Sequence, residues 1–334
     1  MIVLSLFDGC GMAYQALKNL GIKVDKYYSS EIDKYAIQIA RKNHPDITEL
    51  GDVNNWKSWD IEKPDLIIGG FPCQSFSIAG NRTNFEDTRG QLFFTALEIL
   101  QHYNPQHFIL ENVASMQKEI KAQLDKLIGV EGVKINSALV SAQQRNRYYW
   151  TNATVTQPED KGIYLKDILL PEVDDKYYLS KQVVDRLNLG DLVRCGVVGY
   201  KVKGQERDKA TTLLSRDYKG MQSRDFNVVI DKPVRAGSFN KGGQGDRVYS
   251  PEGKSVSLST LGGGRGAKTG LYLHKGCVRK LTPIECERLQ TLPDCYSEGV
   301  SDSQRYKMLG NGFTVKVIEH LLRELKECKN YDEN

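Results

Sequence analysis

The 334-residue chain has no apolar run approaching the roughly 18 residues a membrane-spanning helix needs. Its first residues, MIVLSLFDG, show no basic stretch ahead of a short apolar run, so no secretory leader is expected. Paired cysteines are also missing. The 7 cysteines are scattered, Cys286 and Cys295 stand too far apart for a Cys-x-x-Cys clip, and no histidine follows at zinc-ligand spacing. A disulfide framework and a structural metal are thereby excluded, and free thiols in a reducing cytoplasm are expected. Nor does overall charge mark a partner, because 46 Lys+Arg against 42 Asp+Glu leave only +4. With 40% hydrophobic and 26% charged residues, the chain reads as an ordinary soluble protein of one large or two unequal domains.

What the chain does have is unevenly distributed. Residues 176–278 hold 19 Lys+Arg and 9 Asp+Glu, an excess of ten, while the remainder is net acidic. The same stretch carries 16 of the 30 glycines and no convincing amphipathic helix. Such local basicity suits either a solvated surface or a polyanionic partner. Within it, VGYKVKGQERDKATTLLS (from Val198) is loosely echoed by AGSFNKGGQGDRVYSPEGKSVSLS (from Ala236). The echo reads as two strand-turn-strand units or as chance likeness between Gly/Lys/Ser-rich stretches. GGGRGAKTG lacks the Gly-Lys-Ser/Thr ending of a phosphate-binding loop, which favours a flexible basic loop.

Before this segment, strand and helix patterns alternate. IVLSLF, KVDKYYSS, PDLIIGG, QHFILEN and KINSALVSA read as strands. GMAYQALKNLG, DKYAIQIARKN, GQLFFTALEILQHY and EIKAQLDKLIG read as helices between them. The first should stop at Gly21 and the second before Pro45. Alternation of this kind predicts a mostly parallel sheet covered on both faces. After it, LTPIECERLQ carries a helix-start signature in Thr282, Pro283 and Glu285, and Ile318, Leu321, Leu322 and Leu325 form an apolar stripe. The plan is an α/β domain built from both ends of the chain, with a small β domain inserted.

Ligands of open parallel sheets bind beyond the carboxyl ends of the strands. Those ends read Phe7-Asp8-Gly9-Cys10-Gly11, Ser30-Glu31, Gly51-Asp52, Pro72-Cys73 and Glu111-Asn112. FDGCG resembles a dinucleotide fingerprint but lacks its third glycine, and Asp8 would repel a pyrophosphate. Glu31 follows Gly11 at the spacing of a ribose-binding acid, and Asp52 could accept from an adenine amine. A nucleoside with a cationic tail, S-adenosylmethionine, therefore fits better than NAD. Cys73 is either a small buried hydrophobe or a nucleophile, in which case Glu111 could serve it as a general acid. Arg145 and Arg147 would share one face of a strand, as a solvated basic edge or as a group binding phosphate or carbonyl beside the thiol.

FDGCG, SEID, GDV, GGFPCQSFS, RGQLFF, ENV, QQRNR, RKLTPIECERLQ and LGNG occur in the order of the signature blocks of the DNA (cytosine-5)-methyltransferase family of prokaryotic or phage type, which the chain resembles over residues 2–150 and 279–322. The resemblance implies a Rossmann-like, mostly parallel S-adenosylmethionine-dependent methyltransferase domain. That domain would span residues 1–172 and be completed by about 300–334, with a small β-rich target-recognition domain inserted at 173–299. It implies that Cys73 attacks carbon 6 of a cytosine flipped out of the duplex, that Glu111 protonates nitrogen 3, and that Arg145, supported by Arg147, orients base and acid. Phe7, Asp8, Gly9, Gly11, Glu31, Asp52, Val53, Pro72 and Asn311 would bind S-adenosyl-L-methionine, released as S-adenosyl-L-homocysteine, without a metal. Gln74, Ser75, Ser77, Arg82, Arg89, Arg216, Arg247 and Arg265 would contact DNA, the first five through a loop folding over it. The implied partners are double-stranded DNA and a cognate restriction endonuclease, for a cytoplasmic monomer without membrane contact. The chain departs from the family pattern at Gly310-Asn311-Gly312-Phe313, where Ser/Ala-Val usually follows the Asn. It departs again at Ile32, where a Trp usually follows the acid, so adenine stacking would be aliphatic. The same chemistry on a tRNA cytosine is the alternative substrate reading. A catalytically dead DNA-binding relative and an NAD-dependent oxidoreductase are the readings from other classes.

Overall fold

The structure, a computed structural model, describes residues 1–72, 88–179, 233–239, 244–259, 268–274 and 277–332. A large sheet contains β1 (Ile2–Leu6), β2 (Lys26–Ser30), β3 (Ile47–Glu49), β4 (Leu66–Gly70), β5 (His107–Val113), β6 (Val133–Asn136) and β7 (Asn146–Thr151). Its order is β3-β2-β1-β4-β5-β7-β6. β7 runs antiparallel to both its neighbours, and every other pairing in this sheet is parallel.

The central strands β1 (IVLSL) and β4 (LIIGG) are almost wholly apolar and buried on both faces of the sheet. Side chains alternate between two cores, as strand geometry requires. Val3, Leu66 and Ile68 enter one, with Ala13 and Leu17 of α1 (Met12–Asn19) and Ile39 of α2 (Lys34–Asn43). Leu4, Leu6 and Ile67 enter the other, with Phe93 and Leu97 of α3 (Thr88–Tyr103) and Leu124 of α4 (Lys118–Ile128). Helix ends follow local chemistry. Gly21 adopts φ 62°, and its N–H and that of Ile22 close the end of α1 on Lys18 and Leu17. Asp33 caps α2 by accepting from Tyr35 N at 2.9 Å.

One expectation for this half needs correction. KINSALVSA forms a strand only over Val133–Asn136, because the Asn136 side chain accepts from Ala138 N and turns the chain into a short 3-10 helix. The aromatic stretch NRYYWT then forms β7 and inserts between β5 and β6.

A second sheet contains β8 (Val234–Ser238), β9 (Arg247–Ser250), β10 (Leu271–His274) and β11 (Cys277–Arg279), in the order β11-β10-β9-β8. β8 and β9 form an antiparallel pair, so the later half of the sequence echo is a strand-turn-strand unit. The earlier half lies outside the described residues. Ala236, Phe239, Val248, Leu271, Leu273 and Val278 form a small core of their own. Buried Lys254 donates to the carbonyls of Ala138, Ser141 and Ile163, tying this segment to the large sheet.

The chain then returns through α5 (Pro283–Leu289), α6 (Asp302–Asn311) and α7 (Val315–Asp332). Thr282 and Glu285 make the reciprocal cap expected of them. Glu285 also takes a bidentate ion pair from Arg279, the two side chains being 0% and 1% exposed. Leu281, Cys286, Leu289, Leu292 and Tyr296 belong to the core of the large sheet, together with the stripe of Ile318, Leu321, Leu322 and Leu325. The same core also takes in Tyr249, Leu258 and Tyr272 of the preceding basic stretch. Among the described residues, no helix is long and apolar enough to cross a membrane.

Candidate active site

The carboxyl rim of the parallel strands gathers most of the residues singled out by sequence. Beyond β1, Phe7, Gly9 and Gly11 have φ of 56°, 65° and 79°, so the chain coils tightly through FDGCG. A Cβ on Gly11 would stand 2.9 Å from His44 Cδ2, so only glycine fits there. The Cβ direction of Gly9 is open, with no atom within 4 Å. Gly9 N donates to Glu31 Oε2 at 2.9 Å, and Glu31 Oε1 accepts from the N–H groups of Ile32 and Asp33. These bonds fix the Glu31 carboxylate beyond β2. Ile32 beside it is 75% exposed, an apolar side chain left on the rim. Gly51, at φ 75°, also faces open space, and Asp52 Oδ1 caps a 3-10 helix by accepting from Asn54. Val53 is buried in the α3-side core.

Asp8 departs from its expected place. Its carboxylate is buried beneath the loop, where it accepts from the hydroxyls of Ser5 (2.5 Å), Tyr27 (2.7 Å) and Ser29 (3.1 Å). Burial pushes its pKa up to about 6, against the pull of those hydroxyls. Asp8 thus supports the loop from behind rather than lining a ligand cavity. Behind Gly11, Tyr296 donates to the Cys10 carbonyl and meets His44 Nε2 at 3.0 Å. Burial holds His44 down to about 4, so the ring is neutral. Ser5, Ser29, His44 and Tyr296 were not singled out in the sequence. The only signal was Ser5 within the apolar IVLSL and Ser29 near the end of KVDKYYSS.

Register brings the second group together. Gly70 of β4 sits opposite Glu111 of β5, and a Cβ on Gly70 would stand 3.0 Å from Glu111 Oε2 and 3.2 Å from Phe313 Cε1. Arg147 lies diagonally across from Glu111 on β7 and closes an ion pair, Nε to Oε1, of 2.7 Å. Both side chains are nearly buried, so the pair is little screened. Asn112 Nδ2 donates to the Phe71 carbonyl at 3.1 Å, holding the backbone that leads to Pro72 and on to Cys73. β5 thus runs past Glu111 rather than ending at it.

Arg145 plays a different part from the expected one. Its guanidinium donates to the carbonyls of Gly310 and Gly312, and it is Arg147 that forms the ion pair with Glu111. Asn311, exposed between those glycines, ends α6. A Cβ on Gly312 would collide with Met12 Sδ, which places this turn against the start of α1 and hence beside FDGCG. Gln290, fully buried, donates to the Leu309 carbonyl at 2.6 Å and accepts from Thr314, which accepts from Ser137. Phe313 and Gln290 had no sequence signal beyond lying in RKLTPIECERLQ and beside LGNG.

The remaining expected residues are not brought together here. Cys73, Gln74, Ser75, Ser77, Arg82, Arg216 and Arg265 lie outside the described residues, and of Arg89 only the backbone, in α3, is described. Arg247 begins β9 opposite Ser238 in the second sheet. Among the described residues there is no group of three or more metal-ligating side chains.

The rim thus carries a glycine loop beside an acid on the next strand and a carboxylate held by arginine, at the end of the sheet where open α/β sheets bind their ligands. Residues 1–327 match the model of the C-5 cytosine-specific DNA methylase family. The chain is 31% identical to the type II methyltransferase M.HhaI of Haemophilus parahaemolyticus over 347 residues, covering 98% of this chain and 95% of the relative. It is 31% identical to M.HpaII of Haemophilus parainfluenzae over 349 residues (97% and 88% covered), and 28% identical to the orphan methyltransferase M.SPRI of Bacillus phage SPR over 425 residues (97% of each). The crystal structure of the S. pombe Dnmt2 methyltransferase shares the fold, with a TM-score of 0.66 at 19% identity and 99% coverage of both chains. The chain belongs to the C-5 cytosine-specific DNA methylase family, and methylation of cytosine in DNA is the activity that membership carries.

Proposed function

We propose that the protein transfers a methyl group from S-adenosyl-L-methionine to carbon 5 of a cytosine flipped out of duplex DNA, with Cys73 as the nucleophile. The observation that carries this is the Glu111–Arg147 pair of 2.7 Å at the end of the strand pair that delivers Pro72-Cys73. Glu111 Oε2 lies against Gly70, three residues before Cys73 in sequence.

The residues at the rim suit the cofactor. Gly9 and Gly51 leave room where a side chain would stand. Glu31 is fixed by three backbone N–H groups and keeps lone pairs for ribose hydroxyls. Ile32 offers the aliphatic face on which a purine can rest. S-adenosyl-L-methionine supplies the methyl group and leaves as S-adenosyl-L-homocysteine.

The chain's own residues perform the rest. The Cys73 sulfur adds to carbon 6, and the displaced electron pair moves toward carbon 5 as Glu111 gives a proton to nitrogen 3. Arg147 holds the Glu111 carboxyl in place for that transfer. Carbon 5 takes the methyl group and then gives up its proton to a water molecule acting as base. The electron pair left behind re-forms the ring double bond and expels the Cys73 sulfur, while nitrogen 3 returns its proton. The small-sheet half (about 173–280), with its excess of basic residues, would grip the duplex, and the large domain (1–172 and from about 281 onward) would do the chemistry. A cognate endonuclease and a monomeric state belong to the same proposal.

A duplex containing 5-fluorocytosine tests the nucleophile, because fluorine cannot leave carbon 5 as a cation. Mass spectrometry is expected to find a stable adduct on Cys73 in the presence of S-adenosyl-L-methionine. An adduct elsewhere, or full turnover by Cys73→Ser, would overturn the assignment.

A further inference from the structure

Arg145 is buried, and its backbone is pinned: its N–H donates to Asn136 Oδ1 at 3.1 Å, and its carbonyl accepts from Ser137 N at 2.9 Å. From that fixed base the guanidinium forks between two segments far apart in sequence. Nη2 donates to the carbonyls of Gly310 (3.1 Å) and Gly312 (2.9 Å). Nη1 reaches Ser257 Oγ and the Leu258 carbonyl, each at 3.4 Å.

On the function proposed above, one prong leads toward the cofactor and the other, through Leu258 in the core shared with Tyr249 and Tyr272 of the second sheet, toward the DNA. The turn at 310–313 abuts Met12 at the glycine loop through Gly312, and places Phe313 beside Gly70, next to Glu111. Ser257 and Leu258 follow Lys254 and Ser255, which bind the 138–142 region of the large domain. They precede the bond from Ser259 N to the Lys268 carbonyl, which closes off the chain on its way into β10. A planar guanidinium cannot turn toward one set of carbonyls without leaving the other.

We infer that Arg145 is a positioning residue that couples the two binding events: the hold of the small-sheet half on DNA and the hold of the glycine loop and C-terminal turn on the cofactor. The inference rests on the function proposed above. Coupling of this kind is reciprocal, so DNA must raise cofactor affinity by the same factor that cofactor raises DNA affinity.

The test is the dissociation constant of S-adenosyl-L-homocysteine, measured by equilibrium dialysis with and without sheared unmethylated genomic DNA, so that no turnover intervenes. For the wild type the ratio of the two constants is expected to be about ten. Arg145→Lys keeps the charge but cannot hold both prongs, and its ratio is expected to fall below about two. General loosening of the fold weakens both measurements and leaves their ratio in place, so the ratio separates coupling from mere structural support. Ser257→Ala removes one contact from the other prong, reports independently should Arg145→Lys fail to fold, and is expected to lower the ratio about two- to three-fold. An unchanged ratio in Arg145→Lys, or in Ser257→Ala if that variant must stand alone, would overturn the coupling alone. Failure of the wild type to retain S-adenosyl-L-homocysteine would overturn the coupling and the proposed function together.

Discussion

At the residue scale, two buried titratable groups oppose each other behind the glycine loop. The carboxyl of Asp8 rises from 3.8 in the unfolded chain to about 6, so the folded state holds a proton that the unfolded state has lost. That difference, about 3 kcal/mol, is stability present below 3.8 and lost as pH rises through about 6. His44 falls from 6.5 to about 4, so its contribution is present above 6.5 and lost as pH falls toward 4. Asp8→Asn removes the first and leaves the second. Chemical denaturation is expected to show the variant more stable than wild type at pH 7.5 and more steeply weakened between pH 6.5 and 4; parallel curves would contradict the burial argument. Glu111→Gln removes the proposed acid, and kcat is expected to fall about 100-fold or more with cofactor affinity kept. At this scale the sequence reading located the acids by their place after apolar strands. It could not tell that Asp8 turns inward, because Ser5, Tyr27 and Ser29 meet it only after β1 and β2 pair.

At the scale of elements, capping and a buried ion pair set how the chain rejoins the large domain. Thr282→Ala removes the hydroxyl that caps α5, at a cost of about 1 kcal/mol. Arg279→Met strands the Glu285 carboxylate without its bidentate partner in a fully buried place, and is expected to cost about 3–5 kcal/mol. Thermal unfolding of the two variants measures the difference; equal shifts would mean that the ion pair contributes no more than the cap. Several helix ends were legible in sequence because Gly21, Pro45 and Thr282-Pro283 act locally, whereas the Asp33 cap of α2 was not read. The place of β7 was not, because its antiparallel insertion between β5 and β6 is set by pairings distant in sequence, such as Leu110 with Trp150 and Ile135 with Arg147. KINSALVSA misled because Asn136 turns the chain with a side-chain bond that hydrophobic alternation does not reveal.

At the scale of the whole molecule, the separation of charge between the two halves matters most. The excess of ten basic residues in 176–278 is expected to make DNA affinity fall at least about ten-fold between about 50 and 200 mM salt, as phosphate neutralisation requires. A flat response in a filter-binding titration would mean the charge is only a solvated surface. The α/β plan was legible because alternating strands and helices permit few topologies. How the basic stretch meets the large sheet was not, because Tyr249, Leu258 and Tyr272 join that sheet's core only once both parts are folded. The central claim, specific methylation of cytosine in DNA, is met most directly by incubating the protein with S-adenosyl-L-methionine and unmethylated genomic DNA and sequencing 5-methylcytosine at base resolution. Methylation confined to one short sequence motif is the expected result; unmodified DNA, with the methyl group found on tRNA or nowhere, would contradict it.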